Sequence, residues 1–306
     1  MKKQLLLLFL SLVLLINAVK AQDTNDDAPI KIDTLLLTMP LAVKDKNGRN
    51  VPGLKKENFS IFQDGEKQDI EYFFNEESPM NVAILIDTSG STKEVLDKIQ
   101  KAARDFIKVL RPEDKAIIVS FDYRTLFLSE LISDKKKLSK AINQVQIADR
   151  AGSDMNKAVS QLVNNHFDSF KGRKAVIALT DGMVIRGDIS TQQTLEILQK
   201  ADVLFYPIVF KTKFYAEARR RAAANKRKPL PMKMLEFLAE ETTGRFYEKD
   251  AVDLKEAFQS IAEELKKQYL LGFYPQNTET GKSPGHIRIA VDRKDYRIEA
   301  KKKWQF

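Results

Sequence analysis

The chain has 306 residues, 43% hydrophobic and 30% charged, with no cysteine and two histidines. This is a globular composition, long enough for one large or two modest domains, and it excludes disulfides, thiol chemistry and a lipid-modified N-terminal cysteine. The formal charge of +9 falls to +6 without residues 1–21, since Lys2, Lys3 and Lys20 leave with them; no basic stripe interleaves with aromatics, which argues against a nucleic-acid binder.

Residues 1–21 read as a secretory signal peptide: Lys2 and Lys3, then an apolar Leu5–Ile16, then Val19-Lys20-Ala21 as a small-residue cleavage site. The alternative is a membrane anchor, but an apolar run of about twelve residues is shorter than the ~20 a spanning helix needs. No later segment is long and apolar enough to span a bilayer. The expectation is an exported protein, periplasmic or secreted.

Residues 22–28 are polar and acidic, a loose leader within a predicted β domain over 22–79. Leu35–Val43, Asn58–Phe62 and Ile70–Phe74 read as strands, with turn chemistry at Asp45-Lys46-Asn47-Gly48 and Gln63-Asp64-Gly65. From Asn81 the rhythm changes to alternating strands and helices. Strands are predicted at Val82–Ile86, Lys115–Phe121, Leu126–Leu131, Lys174–Thr180 and Val203–Phe210. Helices are predicted at Val95–Leu110, 134–146, 154–168, Thr191–Lys200, Met232–Glu241 (capped at Gly244) and Leu254–Lys267. Strands return at Tyr269–Tyr274, His286–Val291 and Tyr296–Lys301. The predicted architecture is α/β: a doubly wound, mostly parallel sheet over 80–267, Rossmann-like, plus a small β-sandwich-like domain that the strands of 268–306 could complete.

Three short segments carry the chemistry. VAILIDTSGST at 82–92 places Asp87, Ser89 and Ser91 in a D-x-S-x-S spacing after an apolar strand. AGSDM at 151–155 supplies Ser153, and AVIALTDG at 175–182 supplies Asp181. Right-handed crossovers put the loops after parallel strands on one edge, so ligands from three loops can converge. Gly90 opens the first loop, and Ser153 opens a helix whose N-terminus faces the same edge. Two carboxylates and three hydroxyls form a hard oxygen set that suits Mg²⁺ or Mn²⁺ over zinc. Octahedral Mg²⁺ would leave a position that a partner's carboxylate could fill.

These segments resemble the metal-ion-dependent adhesion site (MIDAS) of a von Willebrand factor type A domain, matching at Asp87, Ser89, Ser91, Ser153 and Asp181. The resemblance implies that the first-loop serines bind the metal directly and the acidic residues largely through water. The departure is Ser153, where that family usually has Thr; the hydroxyl is kept. VKDKNGRNVPGLKKENFSIFQDGEKQDIEYF and KKQYLLGFYP, on either side, are similar to exported bacterial von Willebrand-type proteins of the acidobacterial-type group.

Enzyme readings fit less well. Asp87-Thr88 is followed by Ser89 where an acid protease or subtilase would have Gly, and His166 and His286 lie in no subtilase context. A phosphatase would want a second Asp where Ser89 stands. Arg186-Gly187-Asp188 spells a cell-adhesion tripeptide, a match short enough to arise by chance. Lys211–Lys228 holds eight basic residues against Glu217. It reads either as a solvated, partly helical loop or as a basic rim, with Arg219, Arg220 and Arg221 facing an acidic partner. The leading expectation is a non-enzymatic module that binds another protein's carboxylate through the cation. The alternatives are an envelope scaffold with a fold-stabilising metal and, last, a hydrolase.

Overall fold

The computed structural model describes residues 36–75, 77–148, 152–167, 172–182, 187–224, 230–250, 253–276 and 284–300. The signal peptide and leader expected over 1–28 lie outside them, as do Ala151, Arg186 and Lys226–Lys228.

A six-stranded sheet dominates, in the order β10-β9-β8-β5-β6-β7. Its strands are β5 (Met80–Asp87), β6 (Lys115–Phe121), β7 (Thr125–Phe127), β8 (Arg173–Thr180), β9 (Val203–Phe210) and β10 (Tyr247–Lys249). All pairings are parallel except β6 with β7. Helices α1 (Leu96–Val109), α2 (Lys135–Asn143), α3 (Met155–Leu162), α4 (Thr191–Lys200), α5 (Lys213–Ala224), α6 (Leu230–Glu241) and α7 (Leu254–Leu265) connect or cover these strands. The apolar run of β5 explains the layering. Val82, Ile84 and Ile86 pack with α1, α2 and α7 on one face, and Ala83 and Leu85 pack with α3, α4 and α6 on the other. A strand apolar at every position is what a sheet covered on both faces requires.

A second β unit takes strands from both ends of the chain. Strands β1 (Leu37–Lys44), β4 (Tyr72–Phe74), β11 (Gln268–Phe273) and β13 (Arg297–Ala300) form a sheet in the order β13-β1-β11-β4. Strands β2 (Phe59–Gln63), β3 (Glu66–Gln68) and β12 (Ile287–Val291) form another, in the order β12-β2-β3. Met39, Leu41, Phe59, Ile61, Tyr269 and Leu271 share one core in this β unit. The Phe59 and Tyr269 rings stand 5.2 Å apart between centroids, a tilted packing that favours edge-to-face contact. Entry into the large sheet is clamped by Arg111. It donates to the Ser78 carbonyl at 2.9 Å and pairs with Asp114, whose carboxylate accepts the Met80 amide at 3.0 Å.

Several local expectations need correction. The charged stretch after β9, read as a partly helical loop, is a 12-residue helix over Lys213–Ala224. Its alanines and arginines are strong helix formers, and Tyr215 anchors it in the core. The residue that ends α6 in the left-handed region is Thr243 (φ 58), not Gly244. Gly244 is required for space: a Cβ there would lie 2.1 Å from the Phe205 carbonyl oxygen. Strand β10 carried no signal, being three residues long.

Candidate metal centre

Asp87 ends β5, and Asp181 directly follows β8. These strands are parallel neighbours with Ile86 opposite Leu179, so both carboxylates leave the sheet at one edge. Asp87, Asp181 and Ser153 are all fully buried. Past Asp87 the chain enters a two-turn 3₁₀ segment, Gly90–Val95, before α1. That segment, not glycine freedom, makes the turn: Gly90 keeps out of the left-handed region, and a Cβ there would meet nothing within 4 Å. Thr92 fixes the turn by donating to the Ser89 carbonyl at 2.8 Å and lying 3.1 Å from the Asp87 carbonyl.

The five residues singled out in the sequence lie on one hydrogen-bonded edge. The Ser89 amide donates to Asp87 Oδ1 at 2.9 Å, and the Ser89 and Ser91 hydroxyls are 3.1 Å apart. Ser153 donates to Asp87 Oδ2 at 3.4 Å. Ser153 stands one residue before the N-cap of α3, Asp154, which accepts the Lys157 amide at 3.0 Å. Burial pushes the Asp87 carboxyl up to about 6; hydrogen bonds from Ser89 and Thr180 oppose this rise, and the Asp181 charge adds to it. A buried pair of carboxylates held close in this way favours a bound cation, because a positive charge would offset both the desolvation and the mutual repulsion.

Two hydroxyls that the sequence reading missed belong to the same network. Thr180 donates to Asp87 Oδ2 at 2.7 Å and accepts the Gly182 amide at 3.1 Å, joining the loops after β5 and β8. Thr212 donates to Asp181 Oδ2 at 3.1 Å from the loop after β9. A threonine at the end of an apolar strand, next to the aspartate already chosen, was the available signal for Thr180. Thr212 lay inside the charged run and was overlooked with it.

The basic residues fall on an exposed helix that begins at this edge. Lys213 pairs with Glu94 of the 3₁₀ segment at 2.6 Å. Arg219 lies 3.8 Å from Glu248, Arg221 pairs with Glu217, and Arg220 is exposed. Arg219 is seven residues beyond Thr212, about 10 Å along a helix axis. The arginines therefore flank the centre at a distance and do not line it. Gly187 of the adhesion-like tripeptide lies against Asp154: a Cβ there would fall within 1.8 Å of its carboxylate.

Among the described residues, no three His, Cys, Asp or Glu side chains cluster as an ion site. The donor set here is of another kind, two carboxylates completed by neutral hydroxyls. It fits a hard divalent cation that keeps part of its water shell. The chain from 81 to 260 matches the family model for the von Willebrand factor type A domain. An uncharacterized protein of Borreliella burgdorferi is 23% identical over 229 residues, covering 70% of this chain and 62% of its own length. The structure of proximal thread matrix protein 1 from the mussel byssus, with a zinc-occupied MIDAS motif, superposes with a TM-score of 0.52 at 15% identity. That match covers 66% of this chain and 48% of the mussel protein, and it shows a shared fold.

Proposed function

The chain belongs to the von Willebrand factor type A family, and from that premise we propose that it is an exported, non-enzymatic module that binds another protein through a divalent cation. Asp87, Ser89, Ser91, Ser153 and Asp181 would hold the ion, Mg²⁺ or Mn²⁺. A bound cation would supply a Lewis-acidic position for a carboxylate of the partner protein. The observation that carries this reading is the pair of buried carboxylates, Asp87 and Asp181, at the same edge of adjacent strands with three serine hydroxyls around them. Thr180 and Thr212 orient the two carboxylates by donating to them, so they are positioning residues.

The partner contacts assigned to Arg219, Arg220 and Arg221 are long-range. From about 10 Å or more along the helix, beyond the ~8 Å Debye length of physiological salt, the three arginines would steer an acidic partner towards the centre mainly at low ionic strength. Zinc in the mussel structure makes the identity of the metal a direct question for this chain, where no Cys or His stands beside the carboxylates. The reading is tested by a pull-down from envelope extract with Mg²⁺, with Zn²⁺ and with chelator, alongside circular dichroism. Partner capture that needs Mg²⁺ or Mn²⁺ while the fold survives chelation supports it. Unfolding on chelation would instead favour a fold-stabilising metal in a scaffold.

A further inference from the structure

The two edges of the large sheet are unlike. Strand β10 carries Glu248 and Lys249 among its three residues, and Glu248 is met by Tyr215 and Arg219 of α5. Charges on an edge strand guard it against further pairing. Strand β7 carries none: Thr125, Leu126 and Phe127 are uncharged, and Leu126 is 46% exposed.

The register says which backbone groups of β7 are open. The Asp122 amide donates to the Arg124 carbonyl at 3.0 Å, and the Leu128 amide to the Ile118 carbonyl at 2.9 Å. Bonded and non-bonded pairs alternate along an antiparallel ladder. Leu126 therefore bonds with Ser120, and Thr125 and Phe127 turn their N–H and C=O away from β6. No described residue meets those four groups. Side chains alternate as well. Phe127 points to the α3 side of the sheet, with its ring 4.5 Å from His166. Leu126 and Leu128 point to the α2 side, where Leu128 packs on the core that includes Leu138 and Ile142.

Beside this edge a groove of about 340 Å³ opens between α2 and the chain that follows β7. There the Ser129 hydroxyl accepts the Ile118 amide at 3.0 Å in place of a backbone carbonyl, and the ladder resumes only at Ile132, opposite Ala116. Leu128, Ile132 and Ala141 give the groove an apolar floor, and Lys137 and Lys140 stand on it with one acid, Glu130. The lysines are i, i+3 neighbours on one helix face. Both are exposed, and neither makes an ion pair with a described residue.

These features together define an occupant. Outward N–H and C=O groups match another extended backbone, and lysines without acidic partners match carboxylates on its side chains. We propose that β7 and α2 form a docking groove for an extended acidic segment of another protein, which adds antiparallel to the edge of the large sheet. Its residues opposite Thr125 and Phe127 exchange backbone hydrogen bonds with them. The residue opposite Leu126 is apolar. The residue opposite Leu128 is a glutamate, with its methylenes over the apolar floor and its carboxylate towards Lys137 and Lys140. This surface is separate from the metal centre and needs no cation.

The test is amide NMR and calorimetry on the full chain, with the capped peptide Glu-Ser-Glu-Thr-Val-Thr as probe. In the antiparallel register its valine lies opposite Leu126 and its threonines opposite Phe127 and Thr125. The peptide binds saturably, shifts the Thr125 and Phe127 amide signals, and binds more tightly as salt falls. The same peptide with Lys in place of both glutamates does not bind. Nor does the peptide N-methylated at both threonines, which has no N–H to give the edge. Lys137→Glu combined with Lys140→Glu, on exposed positions, weakens binding about tenfold or more and leaves Tm unchanged. Chelator leaves binding unchanged, which separates this surface from the metal reading. The proposal is overturned if the peptide does not saturate, if the N-methylated or lysine peptide binds equally well, if the double variant binds like the parent, or if chelator abolishes binding. A concentration-dependent dimer in ultracentrifugation that shifts the same two amides without peptide would assign the edge to a second copy, and would overturn it too.

Discussion

Replacing Asp87 with Asn separates the electrostatic cost of the metal-free centre from its metal chemistry. Burial lifts the Asp87 carboxyl from 3.8 to about 6 in the fold, with the Asp181 charge adding to the lift and hydrogen bonds from Ser89 and Thr180 opposing it. A folded-state value above the unfolded one means that the fold favours the protonated acid. The parent is then most stable relative to the variant below about pH 4 and loses stability as the pH rises to about 6. A gap of about two pH units at ~1.4 kcal/mol per unit gives a loss of about 3 kcal/mol, complete above pH ~6. Asparagine carries no charge at any pH, so its altered hydrogen bonds add only a constant offset. Carboxylates shifted the other way, such as Asp105 beside Lys101 and Lys108, cancel in the subtraction. The assay is urea unfolding of metal-free parent and variant across this pH range, followed by circular dichroism. Saturating Mg²⁺ at neutral pH should then stabilise the parent by mass action and leave the variant unchanged. A parent-minus-variant difference that stays flat with pH, or that grows in the parent's favour, refutes the reasoning.

Titration calorimetry of the parent with Mg²⁺ or Mn²⁺ should show one site, lost in Asp87→Ala and weakened less in Ser153→Ala, where only a neutral hydroxyl goes; an unchanged heat in Asp87→Ala would sink the ligand assignment. Replacing Arg219, Arg220 and Arg221 together with Gln should slow association with an acidic partner and flatten its salt dependence, with dissociation and stability little changed. The same on-rate and salt slope as the parent would leave α5 a solvated face. Gly244→Ala should destabilise the fold by about 1–3 kcal/mol or more, because the new Cβ meets backbone that cannot rotate away; an unchanged Tm would contradict the packing described. Residues 80–267 should fold alone and 22–79 should not, since β1 pairs with β11 and β13 and β2 with β12; a well-dispersed NMR spectrum from isolated 22–79 would count against it.

The parts of this fold that were legible in the sequence are those with a strong local period. The predicted bounds of β6, α4 and β9 coincide with the observed ones, because each is apolar at strand or helix spacing and is bounded by polar or turn residues. That Asp87, Ser89, Ser91, Ser153 and Asp181 come to one edge was legible because a motif at a strand end fixes direction as well as identity. What escaped were side chains whose role depends on a neighbour far along the chain. Thr180 reaches Asp87 across 93 positions and Thr212 reaches Asp181 across 31, and no spacing rule joins them. Helix α5 escaped for another reason: a dense charge run masks the helix propensity of its alanines and arginines, and among the described side chains Tyr215 is the buried one that shows which side is inward. The left-handed Thr243 was hidden by the glycine beside it, the more obvious candidate for that conformation.

The antiparallel pairing of β1 with β11 has a mechanical consequence. Leu37 lies opposite Phe273 and Ala42 opposite Gln268, and the large α/β unit feeds into β11 at its Gln268 end. A pull applied to the chain before Leu37, against a hold on the large α/β unit, would draw the two strands along their length in opposite directions. That is a shear, in which every backbone pair from Leu37↔Phe273 to Ala42↔Gln268 resists at once, whereas a peeling strand yields one pair at a time. Tension between those two points would be met by a joint built to slide last.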